Sequence, residues 1–175
     1  FLRYLQVEGL IAHDLAACVP SVKKWRFTAL PTYLSAAQLE QVLQCCDQST
    51  ASGRRDYAVL LLLSRLGLRA QEVATLKLDD IDWRAGHFRI QGKGRQPAIM
   101  PLPPDVGGAI AAYLQSGRPV SDSRQLFLKA YPPHSGFPPT SGVRDIAGRA
   151  LQRAGIGGIA HRGSHSFRHS LATEL

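Results

Sequence analysis

Cysteine is scarce, acid is outnumbered, and no apolar stretch is long. The three cysteines are Cys18 and the adjacent Cys45 and Cys46. They form no metal-ligand spacing, and their odd number with no leader in front points to reduced thiols in a cytosol. No basic, apolar, small-residue segment opens the chain, so nothing suggests secretion. The longest uninterrupted apolar run, Ala58 to Leu63, falls far short of the roughly 18–20 residues that cross hydrocarbon. A helical membrane span is excluded. Acidic residues number 13 against 21 basic ones, leaving a formal charge of +8. That deficit makes a polyanion the natural partner. Of the 21 basic residues 16 are Arg and 5 are Lys. Arg grips phosphate oxygens in pairs, although a GC-rich genome would give the same bias.

What is present suffices for a core. The chain has 175 residues, 45% of them apolar, and one of roughly 150 residues buries about 70% of its unfolded surface. One domain, with a fragment of a second, is the expectation. Residues 1–19 read as a helix ending near Gly9 and a short one begun by Asp14. Residues 20–34 hold Pro20, Pro31, Lys23, Lys24 and Arg26 and no acid. They read as a linker suited to lie along phosphates, or as a solvated connector. From Ser35 the signals sharpen. Ser35 with Gln38 is a capping box ahead of Leu39, Val42 and Leu43. A helix from about Gly53 to Leu66 is apolar nearly all round and should be the buried centre, with Gly67 as its left-handed cap. Another begins near Ala70. Strands are expected around Ile81 to Trp83, His87 to Gln91 and Ala98 to Met100, with Gly92-Lys93-Gly94-Arg95 as a hairpin turn. Helices follow from Pro103-Pro104-Asp105, from a Ser141 cap to Gly155, and from Ser164 or His165; residues 118–139 read as loop. Tyr57 and Tyr113 read as core. The fold class is α+β, mainly helical, with a small three-stranded antiparallel sheet.

Three places carry charge that packing does not require. Arg69 lies between the Gly67 cap and the next helix, beside the most buried segment, and Glu72 one turn on could orient it. A structural ion pair is the plainer reading of the two. Lys93 stands between two glycines at a hairpin tip, a short string that also occurs in ordinary exposed turns. His165 and Arg168 share a helix face at i and i+3 in a first turn whose free N–H groups favour an anion. His161, His165 and His169 recur every fourth residue, but Gly163 interrupts them and no acid completes a zinc-like set, so no metal site is assigned.

Gly67-Leu68-Arg69-Ala70-Gln71-Glu72-Val73, Asp79-Asp80-Ile81-Asp82-Trp83, Gly92-Lys93-Gly94 and His165-Ser166-Phe167-Arg168-His169-Ser170-Leu171-Ala172-Thr173 together resemble the tyrosine recombinase (phage integrase) family, in order and approximate spacing. The resemblance covers Ser35 to Leu175, the catalytic domain. It makes residues 1–19 similar to the tail of a helical core-binding domain, and 20–34 similar to the interdomain linker. It implies cleavage and rejoining of double-stranded DNA through a 3′-phosphotyrosine, with no cofactor, metal or nucleotide. Arg69, Lys93, His165 and Arg168 match the catalytic set, and Glu72 matches the acid that supports the first arginine. Lys23, Lys24, Arg26 and Arg95 are the expected DNA contacts. A bacterial, nucleoid-associated protein that acts as a tetramer on DNA is implied as well.

The chain opens on Phe1 in what reads as an ongoing helix, and it stops at Leu175 with helical periodicity and no stop signal. It is expected to be cut at both ends. Tyr4, Tyr33, Tyr57, Tyr113 and Tyr131 all precede the His-x-x-Arg helix, and none matches the family's nucleophile. The chain alone should therefore bind DNA weakly and cleave nothing. The rival reading is a non-catalytic DNA-binding module, a decayed or regulatory relative.

Overall fold

The computed structural model describes residues 1–13, 15, 34–92, 96–139, 141–157 and 163–171. It divides into two compact units, Phe1–Leu30 and Pro31–Leu175. Asp14, Lys23, Lys24, Arg26, Tyr33, Lys93, Arg95 and His161 lie outside the described residues. Among the described residues no helix is long and apolar enough to cross a membrane.

In the first unit helix α1 (Leu2–Val7) closes where the glycine predicts. The Gly9 N–H reaches the Gln6 carbonyl at 3.1 Å and the Leu10 N–H reaches the Leu5 carbonyl at 2.9 Å. This pair of bonds satisfies carbonyls the helix end leaves open. Phe1, Tyr4, Val7 and Leu10 are exposed.

The second unit is α+β and helix-dominated. Helix α2 (Ala36–Gln44) starts with the full capping box: Ser35 Oγ accepts the Gln38 N–H at 3.2 Å, and Gln38 Oε1 accepts the Ser35 N–H at 3.0 Å. Helix α3 (Ala51–Arg65) is the buried centre, with Ala58 to Leu63 all shut away from water. It begins at Ala51 rather than Gly53 because Thr50 Oγ1 accepts the Gly53 N–H at 3.0 Å and caps the helix two residues earlier. Gly67 follows at φ +59°, a conformation that costs a side chain but not glycine. The Leu68 N–H then folds back on the Leu62 carbonyl at 3.3 Å, and helix α4 (Ala70–Thr75) leaves in a new direction.

A buried ion pair lies within α3. Arg55 and Asp56 are both buried. Arg55 donates through Nε and Nη2 to Asp56 Oδ1 at 2.9 and 2.7 Å, and through Nη1 to the Leu128 carbonyl at 3.0 Å. Its guanidinium carbon sits 5.2 Å from the Phe137 ring centroid. Helix α5 (Pro104–Ser116) packs along α3 and contributes Tyr113. That ring stacks on Phe127 at 5.6 Å, and its hydroxyl accepts the Leu128 N–H at 3.2 Å. Burial pushes the phenol up from its ordinary range. Tyr113 is therefore core as expected, whereas Tyr57 is only partly buried. Residues 118–139 form no regular element beyond isolated bridges. Arg55, Tyr113 and the Arg118 guanidinium, which donates to the Ser123, Gln125 and Leu126 carbonyls, hold this loop in place.

The sheet has the order β1 (Ile81–Asp82), β2 (His87–Gln91), β3 (Pro97–Pro101), all antiparallel. Trp83 falls in the turn after β1 and is half exposed. Phe88 pairs with Met100 and Ile90 with Ala98, and these four turn toward the core. Strand β3 extends past the expected Ala98–Met100 to a proline at each end. The ladder tolerates both. The bonds from Gly92 N–H to the Gln96 carbonyl and from Leu102 N–H to the Gly86 carbonyl, each 2.9 Å, fix the phase. With that phase, positions 97, 99 and 101 aim their nitrogens away from β2.

Helix α6 (Gly142–Arg153) lacks the expected serine cap. Ser141 already has helical φ and ψ and makes no capping bond, whereas a cap needs extended backbone. The start is set by packing: a Cβ on Gly142 would meet the Phe137 ring at 2.6 Å. The far end closes as predicted, with Gly155 at φ +67°. Helix α7 (Ser164–Leu171) buries Phe167 against the core.

Cys46 is buried at the end of α2, and burial, followed by the charge of Asp56, pushes its thiol from 9.0 up to about 11. The folded chain therefore keeps a proton that the unfolded chain releases. This contribution is complete below about pH 9 and is lost as pH rises toward about 11. Thermal melts should fall over that interval, and Cys46→Ala should remove that part of the fall.

Candidate functional site

Arg69 is the extended N-cap residue immediately before α4, and Glu72 stands in the first turn of that helix. The carboxylate does two jobs. Its Oε2 accepts the Arg69 backbone N–H and its Oε1 accepts Arg69 Nη1, both at 2.7 Å. One buried side chain thus fixes both the main chain and the guanidinium of a single arginine. It also sits where the helix dipole favours negative charge. The Arg69 side chain remains 48% exposed and Glu72 7%. The cation is therefore presented to solvent, and the carboxylate that orients it is buried.

Glu72→Gln should break this arrangement, because an amide can accept at only one atom and would turn its NH₂ toward the guanidinium. A loss of about 1–3 kcal/mol in urea unfolding is expected, because the new amide NH₂ would be buried without an acceptor.

Arg168 reaches the same junction from the other end of the chain. Its Nη1 donates to the Gly67 carbonyl at 2.6 Å, across 101 positions of sequence. Among the described residues its other N–H groups have no hydrogen-bond partner. Arg168 is half-buried on α7, and His165, one turn earlier on the same face, is exposed. The sequence reads Gly67 only as a helix stop. In the fold its carbonyl is also the seat of the second arginine, and no local signal announces that.

The hairpin stem comes up beside α4. A cleft of about 670 Å³ is lined by Glu72 and Thr75 of α4, Arg89 and Gln91 of β2, Pro97 of β3, and Gln125. Of the residues expected to act together, the structure gathers Arg69, Glu72 and Arg168 at the Gly67–Arg69 junction. It places His165 on the helix that bears Arg168. Lys93 and Arg95, together with Lys23, Lys24 and Arg26, lie outside the described residues. So does His161, so the three-histidine pattern has no described geometry. The Arg69 guanidinium is half-exposed and anchored by a buried carboxylate, and the half-buried Arg168 guanidinium is anchored on the Gly67 carbonyl two residues earlier, so each keeps N–H groups that can donate to an anion.

The phage integrase family model matches residues 32–175. The chain is 47% identical over its whole length to "Putative integrase/recombinase y4rA" of Sinorhizobium fredii (strain NGR234), spanning 42% of that protein. It is 30% identical over its whole length to the tyrosine recombinase XerC of Oceanobacillus iheyensis, spanning 57% of it. The chain thus spans about half the length of these relatives. Among solved structures, the XerH site-specific recombinase bound to its difH substrate before cleavage superposes with a TM-score of 0.63 at 23% identity, covering 89% of this chain and 46% of that one. At that identity the likeness is one of fold.

Proposed function

Because the chain belongs to the phage integrase family, we propose that it carries most of the phosphate-holding site of a site-specific DNA recombinase, which cuts and rejoins strands through a 3′-phosphotyrosine. The observation that carries this reading is the bond from Arg168 to the Gly67 carbonyl. It brings a second guanidinium to the junction where Glu72 already holds the first.

The chemistry follows from charge. As a phosphodiester is attacked, negative charge grows on its two non-bridging oxygens. Arg69 and Arg168, held from behind by a carboxylate and a carbonyl, donate to those oxygens with little reorganisation. His165 donates to the same phosphate or assists proton transfer, and Lys93 on the hairpin protonates the departing 5′ oxygen. The phosphotyrosyl ester conserves the energy of the broken bond, so rejoining needs position and electrostatics only.

In this reading residues 35–175 are the catalytic domain, residues 20–34 the linker and residues 1–19 the end of the arm domain. Lys23, Lys24, Arg26 and Arg95 meet the DNA backbone. The protein acts as a tetramer in a bacterial cytoplasm, on the nucleoid. The charge of +8 and the DNA-bound XerH relative in structure support duplex DNA as partner.

The test uses the product of the whole reading frame and duplex DNA recovered from a randomised pool by binding to it. A covalent protein–DNA adduct, resistant to denaturant and sensitive to protease, is expected. Lys93→Ala should lose most of the adduct on ordinary DNA and regain it when the 5′ leaving oxygen is replaced by sulfur, which leaves without a proton. Binding whose log K falls about 0.9 per phosphate contact with log salt, but with no adduct on any duplex, would establish a binding module instead.

A further inference from the structure

Helix α7 follows a connection whose sequence carries Gly155, Gly157, Gly158 and Gly163. The pose of Arg168 depends on the tertiary contacts that hold this helix. The inward face of α7 supplies them. Ser166, Phe167 and Ser170 are buried, whereas His165 is exposed and Arg168 half-buried.

Ser170 is the informative member. It is 3% exposed. Its Oγ donates to the Ser166 carbonyl one turn back at 2.8 Å, which fixes the direction of the hydroxyl hydrogen and leaves a lone pair free. That lone pair accepts the backbone N–H of Leu34 at 2.9 Å, 136 positions away. Leu34 is itself buried and immediately precedes the Ser35 cap of α2. A second tie runs from the other side of α2: Gln41 Nε2 donates to the Ala154 carbonyl at 2.9 Å, just before the glycine-rich connection begins. Leu34, at the entry to α2, and Gln41, within it, therefore tie this part of the chain to α7 and to the end of α6. Ser166 and Ser170 bracket Arg168 by two residues on either side, which puts them across the helix from it.

We propose that Ser170 is a positioning residue for Arg168, holding α7 at the height and rotation that bring the guanidinium to Gly67 and to the scissile phosphate. This rests on the recombinase reading and adds a residue to it. Without the hydroxyl, the Leu34 N–H has no partner from α7, and the helix can turn about Phe167. A displacement of about 1 Å at a reacting group can cost a hundredfold in rate.

The experiment compares Ser170→Ala and Ser170→Thr in the product of the whole reading frame, with Arg168→Ala as control. Single-turnover adduct formation at saturating DNA, the Kd for DNA and the thermal midpoint are read for each. Ser170→Ala should slow adduct formation about tenfold to a hundredfold while Kd stays unchanged, and Ser170→Thr, which keeps the hydroxyl, should restore the rate. A wild-type rate in Ser170→Ala, with or without a lowered midpoint, overturns the proposal, provided Arg168→Ala abolishes the adduct. An adduct that forms normally in Arg168→Ala removes Arg168 from the site and the proposal with it, whereas no adduct from the unsubstituted protein on any duplex overturns the recombinase reading itself.

Discussion

Arg168→Ala should lower single-turnover adduct formation by about 10²–10³-fold, the range measured when one preorganised donor to a developing oxyanion is removed. The geometry adds detail. Arg168 uses one N–H on the Gly67 carbonyl, so the fork is anchored at one corner and, in the proposed site, the others are left for the phosphate. Lysine keeps the charge but cannot hold a carbonyl and a phosphate oxygen in a fixed plane, so Arg168→Lys should recover only a minor part of the rate. Arg69→Ala should fall by a similar factor and release Glu72 from its bond to Nη1. The double variant should fall by less than the product of the two losses, because both cations act on the same growing charge. Full activity in both single variants would end the assignment of the site.

The largest effect on stability should come from Arg55→Ala. The substitution leaves the Asp56 carboxylate buried without its cation, strips the Leu128 carbonyl of a donor and opens the space beneath Phe137. Removing one partner of a buried pair costs about 3–5 kcal/mol. For a chain of this size that is a fall of roughly 6–20 °C in melting temperature. Replacing both members by apolar side chains of similar volume should cost far less, since no charge is then stranded. Urea unfolding of the two variants tests the contrast: a small loss in Arg55→Ala would mean that Asp56 finds water or another donor.

What could be read in advance was local. The Ser35–Gln38 box, the stops at Gly9, Gly67 and Gly155, the apolar run from Ala58 to Leu63 and the alternation of Phe88 with Ile90 each state their structure within a few residues. The fold follows them. Errors arose where a neighbour outbid the obvious residue: Thr50 capped ahead of Gly53, and packing by Phe137 replaced a cap at Ser141. The Arg69–Glu72 pair was legible because three residues is one helical turn. The Arg55 bond to Leu128, the Arg168 bond to Gly67 and the Ser170 bond to Leu34 were not. Each joins distant parts of the chain through a backbone atom, which has no identity in the sequence. Only the resemblance of the ordered motifs placed Arg69 and Arg168 together, and it said nothing of Gly67's carbonyl.

The two prolines of β3 bear on how copies of this chain can meet. An outer strand ordinarily offers a row of amide donors on which a neighbour can zip, a hazard where many molecules crowd along a single duplex. Here Pro97 and Pro101 remove two of the three outward donors and leave Ile99 alone between them. Main-chain pairing of copies along this strand is thereby reduced to one donor, so any self-association at this hairpin draws mainly on side chains, where it can be selective and reversible.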